Sequence, residues 1–312
     1  MRKHITTIIL LIILLVGLGL LFYPSVSNWW NERVSSRAIS TYDESVANLT
    51  DEEYEEMLAA AEDYNTRLSE AGVSAFYNPD LIEGYEDTID ITGTGIMGYI
   101  TIEKISVQLP IYHGTSVDVL QVAAGHLEGT SLPVGGESTH AVIMAHRGLP
   151  SAMLFTDLNE LEVGDTFTIT VLNRVLTYEV DLISIVEPND VSLLQIEEGQ
   201  DYVTLLTCTP YGVNTHRLLV RGHRIENAEE RTTATATGEA TVVNNVLVAA
   251  VVAVILLVPL LLVVFLRPAA KKSKLDVASE EKAAIEETRN GSRKRSAGVR
   301  RKRERKKKHR KM

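Results

Sequence analysis

One cysteine, Cys208, stands in 312 residues, and one lysine, Lys104, stands between Pro24 and Val242. A solitary thiol excludes an internal disulfide and, with no His-x-x-x-His pair in the chain, excludes zinc-site spacing. Neither Thr92-Gly-Thr-Gly95 nor Gly135-Gly136 forms a phosphate loop, and no internal repeat is present. The residues call for no metal and no cofactor. The lysine scarcity has two readings: an enzyme that acylates amines gains by offering few of its own, or the composition simply prefers arginine.

Charge is also missing from two long runs. Ile5 to Tyr23 is uncharged over 19 residues and follows Arg2 and Lys3; Val246 to Leu266 is uncharged over 21 and precedes Arg267. Both are long enough to cross a bilayer as helices. Ser25-Val-Ser27 makes a weak cleavage site and the first run exceeds an ordinary signal core, so an uncleaved anchor is expected. Residues 271–312 carry 18 Lys+Arg against 6 Asp+Glu, leaving 13 against 35 in residues 1–270, so a net of −10 divides into +12 and −22. Basic flanks stay in the cytoplasm. The expected topology is therefore two-pass, with both termini cytoplasmic and residues 24–245, including Cys208, outside the cell. Beside a span, the run from Arg300 to Lys311 reads as contact with anionic lipid rather than nucleic acid.

Taken in order, residues 1–23 read as an anchor and 28–71 as a helical segment. Thr50 with Glu53 makes a capping box there, and Met57, Leu58, Ala61 and Leu68 recur at helical spacing. Residues 72–97 read as a loop, rich in Gly, Asn, Pro and Asp. From residue 98 to 226 the pattern is β: runs at 98–105, 107–112, 141–145, 166–172, 175–186, 202–207 and 217–221, with a tight hairpin at Asn173-Arg174. Short helices are expected at Val117–Ala124 and Ala152–Leu161. About eight short strands with turn punctuation argue for a closed or nearly closed barrel. A polar linker at 227–245, the second span at 246–266 and a basic cytoplasmic tail at 267–312 complete the layout.

Cys208 ends an apolar strand, ahead of a Pro210-Tyr-Gly212 turn. A cysteine nucleophile needs a base or a cationic neighbour, because the thiolate is the reactive form. Of His113, His126, His140, His146, His216 and His223, His146 has the most suggestive setting: it ends the strand 141–145 and opens His146-Arg-Gly-Leu-Pro150. Arg217 follows the Pro-Tyr-Gly turn, so a hairpin returns it beside Cys208, where a guanidinium can stabilise an oxyanion. A surface ion pair is the competing role for Arg217, as for Arg221 and Arg224.

Leu206-Thr-Cys208-Thr-Pro, with Arg217 nine residues after the cysteine and His146 in His-Arg-Gly-Leu-Pro-Ser-Ala, resembles the sortase transpeptidases, and closely the class C, pilus-assembling group. Gly125 to Gly135 and Thr209 to Arg224 are similar to that group as well. The resemblance covers about residues 40–226. It implies a mainly β chain, an eight-stranded sortase-type β-barrel with short helices, an N-terminal helical segment and two flanking transmembrane helices. It further implies Cys208 as nucleophile, His146 as general acid/base and Arg217 as stabiliser of substrate and oxyanion. The expected partners are pilin or surface proteins with LPxTG-like sorting signals, cleaved at Thr–Gly through a thioacyl intermediate, and an acceptor pilin lysine. His126 matches a family motif in a structural capacity. The chain departs from the pattern where pilus sortases carry an Asp-Pro-aromatic lid; Asn78-Pro79-Asp80 and Asp87-Thr88-Ile89 stand there instead. Two alternatives are a housekeeping-type sortase acting on cell-wall peptide amines and a catalytically silent surface binding module.

Overall fold

The computed structural model describes residues 2–227. The linker, second span and basic tail expected beyond them lie outside the described residues. The chain opens with α1 (Arg2–Ala47), a single helix that runs through Pro24. The segments read separately at 1–23 and 28–71 are thus divided elsewhere, after Ala47: proline removes one backbone bond at a cost of about 3 kcal/mol, and bonds from Asn28, Asn31 and Tyr42 to the rest of the molecule hold the helix on its far side. Among the described residues α1 is the one helix long and apolar enough to cross a membrane, with a mean hydropathy of 2.6 in its apolar window.

α2 (Asp51–Ala71) begins at the expected capping box, with Thr50 Oγ1 accepting from Glu53 N and the Glu53 carboxylate accepting from Thr50 N at 2.9 Å. Its buried face carries Ala61, Tyr64, Asn65 and Leu68. Asn65 brackets Leu132, donating to its carbonyl at 3.0 Å and accepting from its N–H at 2.7 Å. The expected loop at 72–97 is partly helical, with α3 (Val73–Tyr77) and a 3-10 turn at Pro79–Leu81.

Eight strands follow: β1 (Ile96–Ile102), β2 (Val107–Tyr112), β3 (Ala124–His126), β4 (Thr139–Met144), β5 (Thr166–Val171), β6 (Arg174–Val186), β7 (Asp201–Thr209) and β8 (His216–Ile225). They close a barrel in the order β1-β2-β3-β4-β7-β8-β6-β5, parallel at β2/β3 and β4/β7 and antiparallel elsewhere. Alternate residues point inward, and Ile100, Ile102, Ile143, Phe167, Ile169, Leu205 and Val220 fill the interior. β3 occupies the end of a segment read as helix; α4 is only Val117–Leu120. The helix expected at Ala152–Leu161 reduces to a 3-10 turn at Leu158–Glu160. The β5–β6 hairpin turns at Leu172-Asn173, one residue earlier than expected, and Tyr42 accounts for it: its hydroxyl accepts from Leu172 N at 2.7 Å and donates to Met97 O at 2.9 Å.

Two histidines are buried as neutral rings. His126 Nε2 donates to Ser131 O at 2.8 Å, leaving Nδ1 to accept from the Tyr85 hydroxyl at 2.9 Å. His140 Nδ1 donates to Gln195 O at 2.9 Å and Nε2 accepts from Thr204 Oγ1 at 2.7 Å. Burial pulls both down to about 4. An unfolded histidine titrates near 6.5, so between about 6.5 and 4 the folded state holds fewer protons and stability is lost as pH falls. The urea midpoint of the barrel is expected to drop from pH 7 to pH 5, above the carboxylate range. An unchanged midpoint would contradict the neutral assignment.

Candidate active site

The ladder β4–β7–β8 aligns the three sequence-selected side chains. Cys208 pairs directly with Arg217 across β7/β8, and Leu206 with Leu219. On the other side Met144 pairs with Leu206. One step beyond, Thr207 Oγ1 donates to Ala145 O at 2.8 Å and Ala145 N donates to Leu206 O at 3.2 Å. His146 therefore follows β4 at the level of Cys208.

Strand parity decides which face each residue takes. Ala141, Ile143 and Ala145, Val203 and Leu205, and Leu218 and Val220 point into the core. Met144 and His146, Leu206 and Cys208, and Arg217 and Leu219 consequently share the outer face. The same rule separates the other histidines. His216 pairs with Thr209, close to the cysteine, yet sits at inward parity; His113, His126 and His140 are buried among hydrogen-bond partners; His223 lies far back along β8, opposite Tyr202.

An apolar patch leads to these three residues along that outer face. Val142, Leu206, Leu219 and Leu194 form its buried cluster, joined by Phe76, Met144 and Val191. Beyond its far end lies a cavity of ≈ 230 Å³ lined by Phe76, Val73, His140, Val191 and Leu194. The cavity is remote from the sulfur, since its wall residue His140 stands six positions before His146 on β4.

Cys208, His146 and Arg217 are all half-buried. The Arg217 guanidinium donates from Nη1 to the carbonyls of Asn214 at 3.3 Å and His216 at 3.1 Å, and among the described residues it has no carboxylate partner. Arg221 takes the ion-pair role instead, 2.8 Å from Asp181 and 3.2 Å from Glu197. A guanidinium held only by carbonyls keeps donors available for an incoming anion.

Sequence reasoning passed over Arg147. Its Nε donates to Thr156 O at 3.0 Å, Nη1 reaches Thr209 Oγ1 at 3.4 Å, Nη2 donates to Asn159 Oδ1, and the Tyr211 ring lies 5.9 Å from the guanidinium carbon. It thus ties the segment after His146 to the residues after Cys208. Gly148 completes the junction: at φ +77°, an added Cβ would meet the Tyr211 ring at 2.9 Å. The only signal in the sequence was adjacency to His146, because Thr209 and Tyr211 lie at the end of β7 and in the turn after it.

A closed eight-stranded barrel with cysteine, histidine and arginine on one outward strand face defines the sortase class of protein. The sortase domain model matches residues 100–225. The crystal structure of sortase C1 from Streptococcus agalactiae is 49% identical with a TM-score of 0.57, the match covering 61% of this chain and 99% of that one. Sortase C from Clostridium perfringens, solved with the C-terminal cell wall sorting motif, is 42% identical with a TM-score of 0.54, covering 62% and 100%. Sortase D of Bacillus subtilis is 30% identical over 131 residues, or 41% of this chain, and the match spans 63% of that relative's length. The chain belongs to the sortase family, a family of cysteine transpeptidases, and the solved structures it resembles at this level are class C sortases.

Arg147→Ala is expected to free the segment after His146. Amide hydrogen exchange of residues 148–156 should accelerate while that of β1, β2 and β5 stays unchanged; unaltered exchange at 148–156 would remove the clamp.

Proposed function

We propose that this protein is a membrane-anchored transpeptidase that cleaves LPxTG-like sorting signals of pilin-type surface proteins and joins them to a lysine amine of another subunit. The observation that carries the reading is the direct pairing of Cys208 with Arg217, with His146 at the same level on the neighbouring strand and all three on one outer face.

In this reading the apolar patch receives the leucine-proline part of the signal and brings the threonine carbonyl to the sulfur. His146 takes the thiol proton. The Cys208 thiolate attacks the carbonyl carbon, and the resulting oxyanion faces the Arg217 guanidinium, which moves no proton and supplies fixed positive charge. Collapse breaks the Thr–Gly bond, with His146 protonating the departing amine and leaving a thioester on Cys208. A lysine amine then attacks the thioester, transfers its proton to His146 and expels the thiolate, so the isopeptide bond replaces the peptide bond without an external energy source.

The lysine distribution agrees with this chemistry. Lys104, the lone lysine between Pro24 and Val242, donates to Asp165 at 2.7 Å and lies 3.8 Å from Glu162. The hydrogen bond to Asp165 raises its pKa, which keeps the amine protonated and non-nucleophilic.

Cys208→Ala should abolish thioester trapping by a sorting-signal peptide, and His146→Ala should abolish acylation while leaving the unfolding midpoint of the barrel intact. Arg217→Lys should lower kcat/KM by roughly 10²-fold, since a point charge does not copy the guanidinium fork. Polymer formation by the Cys208→Ala protein would refute the transpeptidase reading; an Arg217→Lys rate equal to wild type would make that arginine purely structural.

A further inference from the structure

α1 joins the apolar run to the barrel without a break, and it docks on the loop that begins at His146. Asn28 Oδ1 accepts from Met153 N at 2.8 Å, and Asn31 Nδ2 donates to Ser151 O at 2.7 Å. That loop closes on itself: Phe155 N donates to His146 O at 3.1 Å and Gly148 N to Thr156 Oγ1 at 3.1 Å. One closed loop therefore stands between the helix and the candidate site.

Height along the helix follows from its rise. Tyr23 ends the apolar run. At about 1.5 Å per residue, Asn28 lies roughly 8 Å and Asn31 roughly 12 Å beyond it. The headgroup layer on one side of a bilayer is roughly 5–8 Å deep. Trp29 and the 61% exposed Trp30 stand at the level where aromatic side chains settle between lipid and water. Ser151 to Met153 consequently meet the outer edge of the headgroups, and Met153, 45% exposed, is an apolar side chain on that rim.

Topology gives the same orientation independently. β1 runs antiparallel to β2, β2 parallel to β3, β3 antiparallel to β4 and β4 parallel to β7. β1, β4 and β7 therefore share one sense and finish at one end of the barrel, where His146 and Cys208 are. Tyr42 of α1 bonds to Met97 at the start of β1, whereas Asn28 and Asn31 bond beyond the end of β4. The apolar half of α1 thus projects from the end that carries the site.

We propose that the loop 147–154 is a membrane-apposed rim, held by α1 against the lipid headgroup layer so that the Cys208–His146–Arg217 face takes substrates presented at the surface of the same bilayer in preference to free ones. This rests on the membrane-anchored transpeptidase reading. Residues 1–270 carry 35 acidic against 13 basic side chains, so an anionic surface does not attract the domain. The docking of α1 on the loop, rather than charge, imposes the contact.

Two measurements on the full chain reconstituted in vesicles test it. In a Cys208→Ala background, a fluorophore on Met153→Cys should be quenched several-fold more by a headgroup-attached quencher than one on Val175→Cys, at the start of β6 and hence the opposite end; equal quenching overturns the apposition. With Cys208 intact, a seven-residue helical insertion between Val26 and Ser27 adds two turns, keeps the facing of α1 and lifts the site by roughly 10 Å. Turnover of a bilayer-anchored sorting-signal peptide should then fall roughly 10-fold or more while turnover of the same peptide free in solution is unchanged; an equal effect on both overturns the substrate preference. Should the unaltered chain turn over neither peptide, the transpeptidase reading fails while the quenching comparison still decides the apposition.

Discussion

The register of β7 between β4 and β8 is the constraint on which the rest depends. A strand has a side-chain period of two, so a slip of one residue on either side would send Cys208 to one face of the barrel and His146 or Arg217 to the other. The register is fixed by what lies on the inner face: Ala141, Ile143, Ala145, Val203, Leu205, Leu218 and Val220 are all buried in one core. Exposing that set would cost several kcal/mol, since fully burying one aliphatic side chain is worth about 1.5–3 kcal/mol. The hydrophobic core therefore holds the alignment of Cys208, His146 and Arg217.

The parallel β4–β7 pairing adds a second consequence. Parallel neighbours end at the same side, so the residues that leave β4 and β7 emerge together, as His146 and Thr209 do. Arg147 exploits this by bridging the two exits, and Tyr211 packs over Gly148 at the same place. α1 then fixes the remaining edge of the loop through Asn28 and Asn31. Backbone and side-chain bonds from three separate parts of the chain hold a segment that has almost no regular secondary structure.

Much of this was legible in the residues. The alternation of apolar and polar positions located seven strands, and the Thr50–Glu53 spacing located the start of α2, because both signals are local. Cys208, His146 and Arg217 were selected as strand ends beside turns, which is again a local property, and the ladder brings them to one face. What escaped reading depends on distant partners. β3 is three residues long and pairs on both edges, so neighbours define it more than its own alternation does. The position of the β5–β6 turn reflects a hydroxyl 130 residues away, on Tyr42. Residues 1–23 and 28–71 read as separate segments because the penalty of Pro24 is local and the contacts that outweigh it are not. Arg147 had no distinguishing pattern at all until its partners were adjacent.

The segment between α2 and β1 shows how the same physics acts where a familiar motif is missing. No Asp-Pro-aromatic sequence stands there, yet an aromatic side chain still reaches the outer patch: Phe76, from α3, packs against the cluster of Val142, Leu194, Leu206 and Leu219. A five-residue helix has no independent stability in water. α3 persists because it is seated on Gly129, where an added Cβ would come within 3.0 Å of Ala75 O and 3.1 Å of the Phe76 Cα, at a φ of +85° that suits glycine. The seat of α3 is thus specified by a glycine outside it as much as by its own residues.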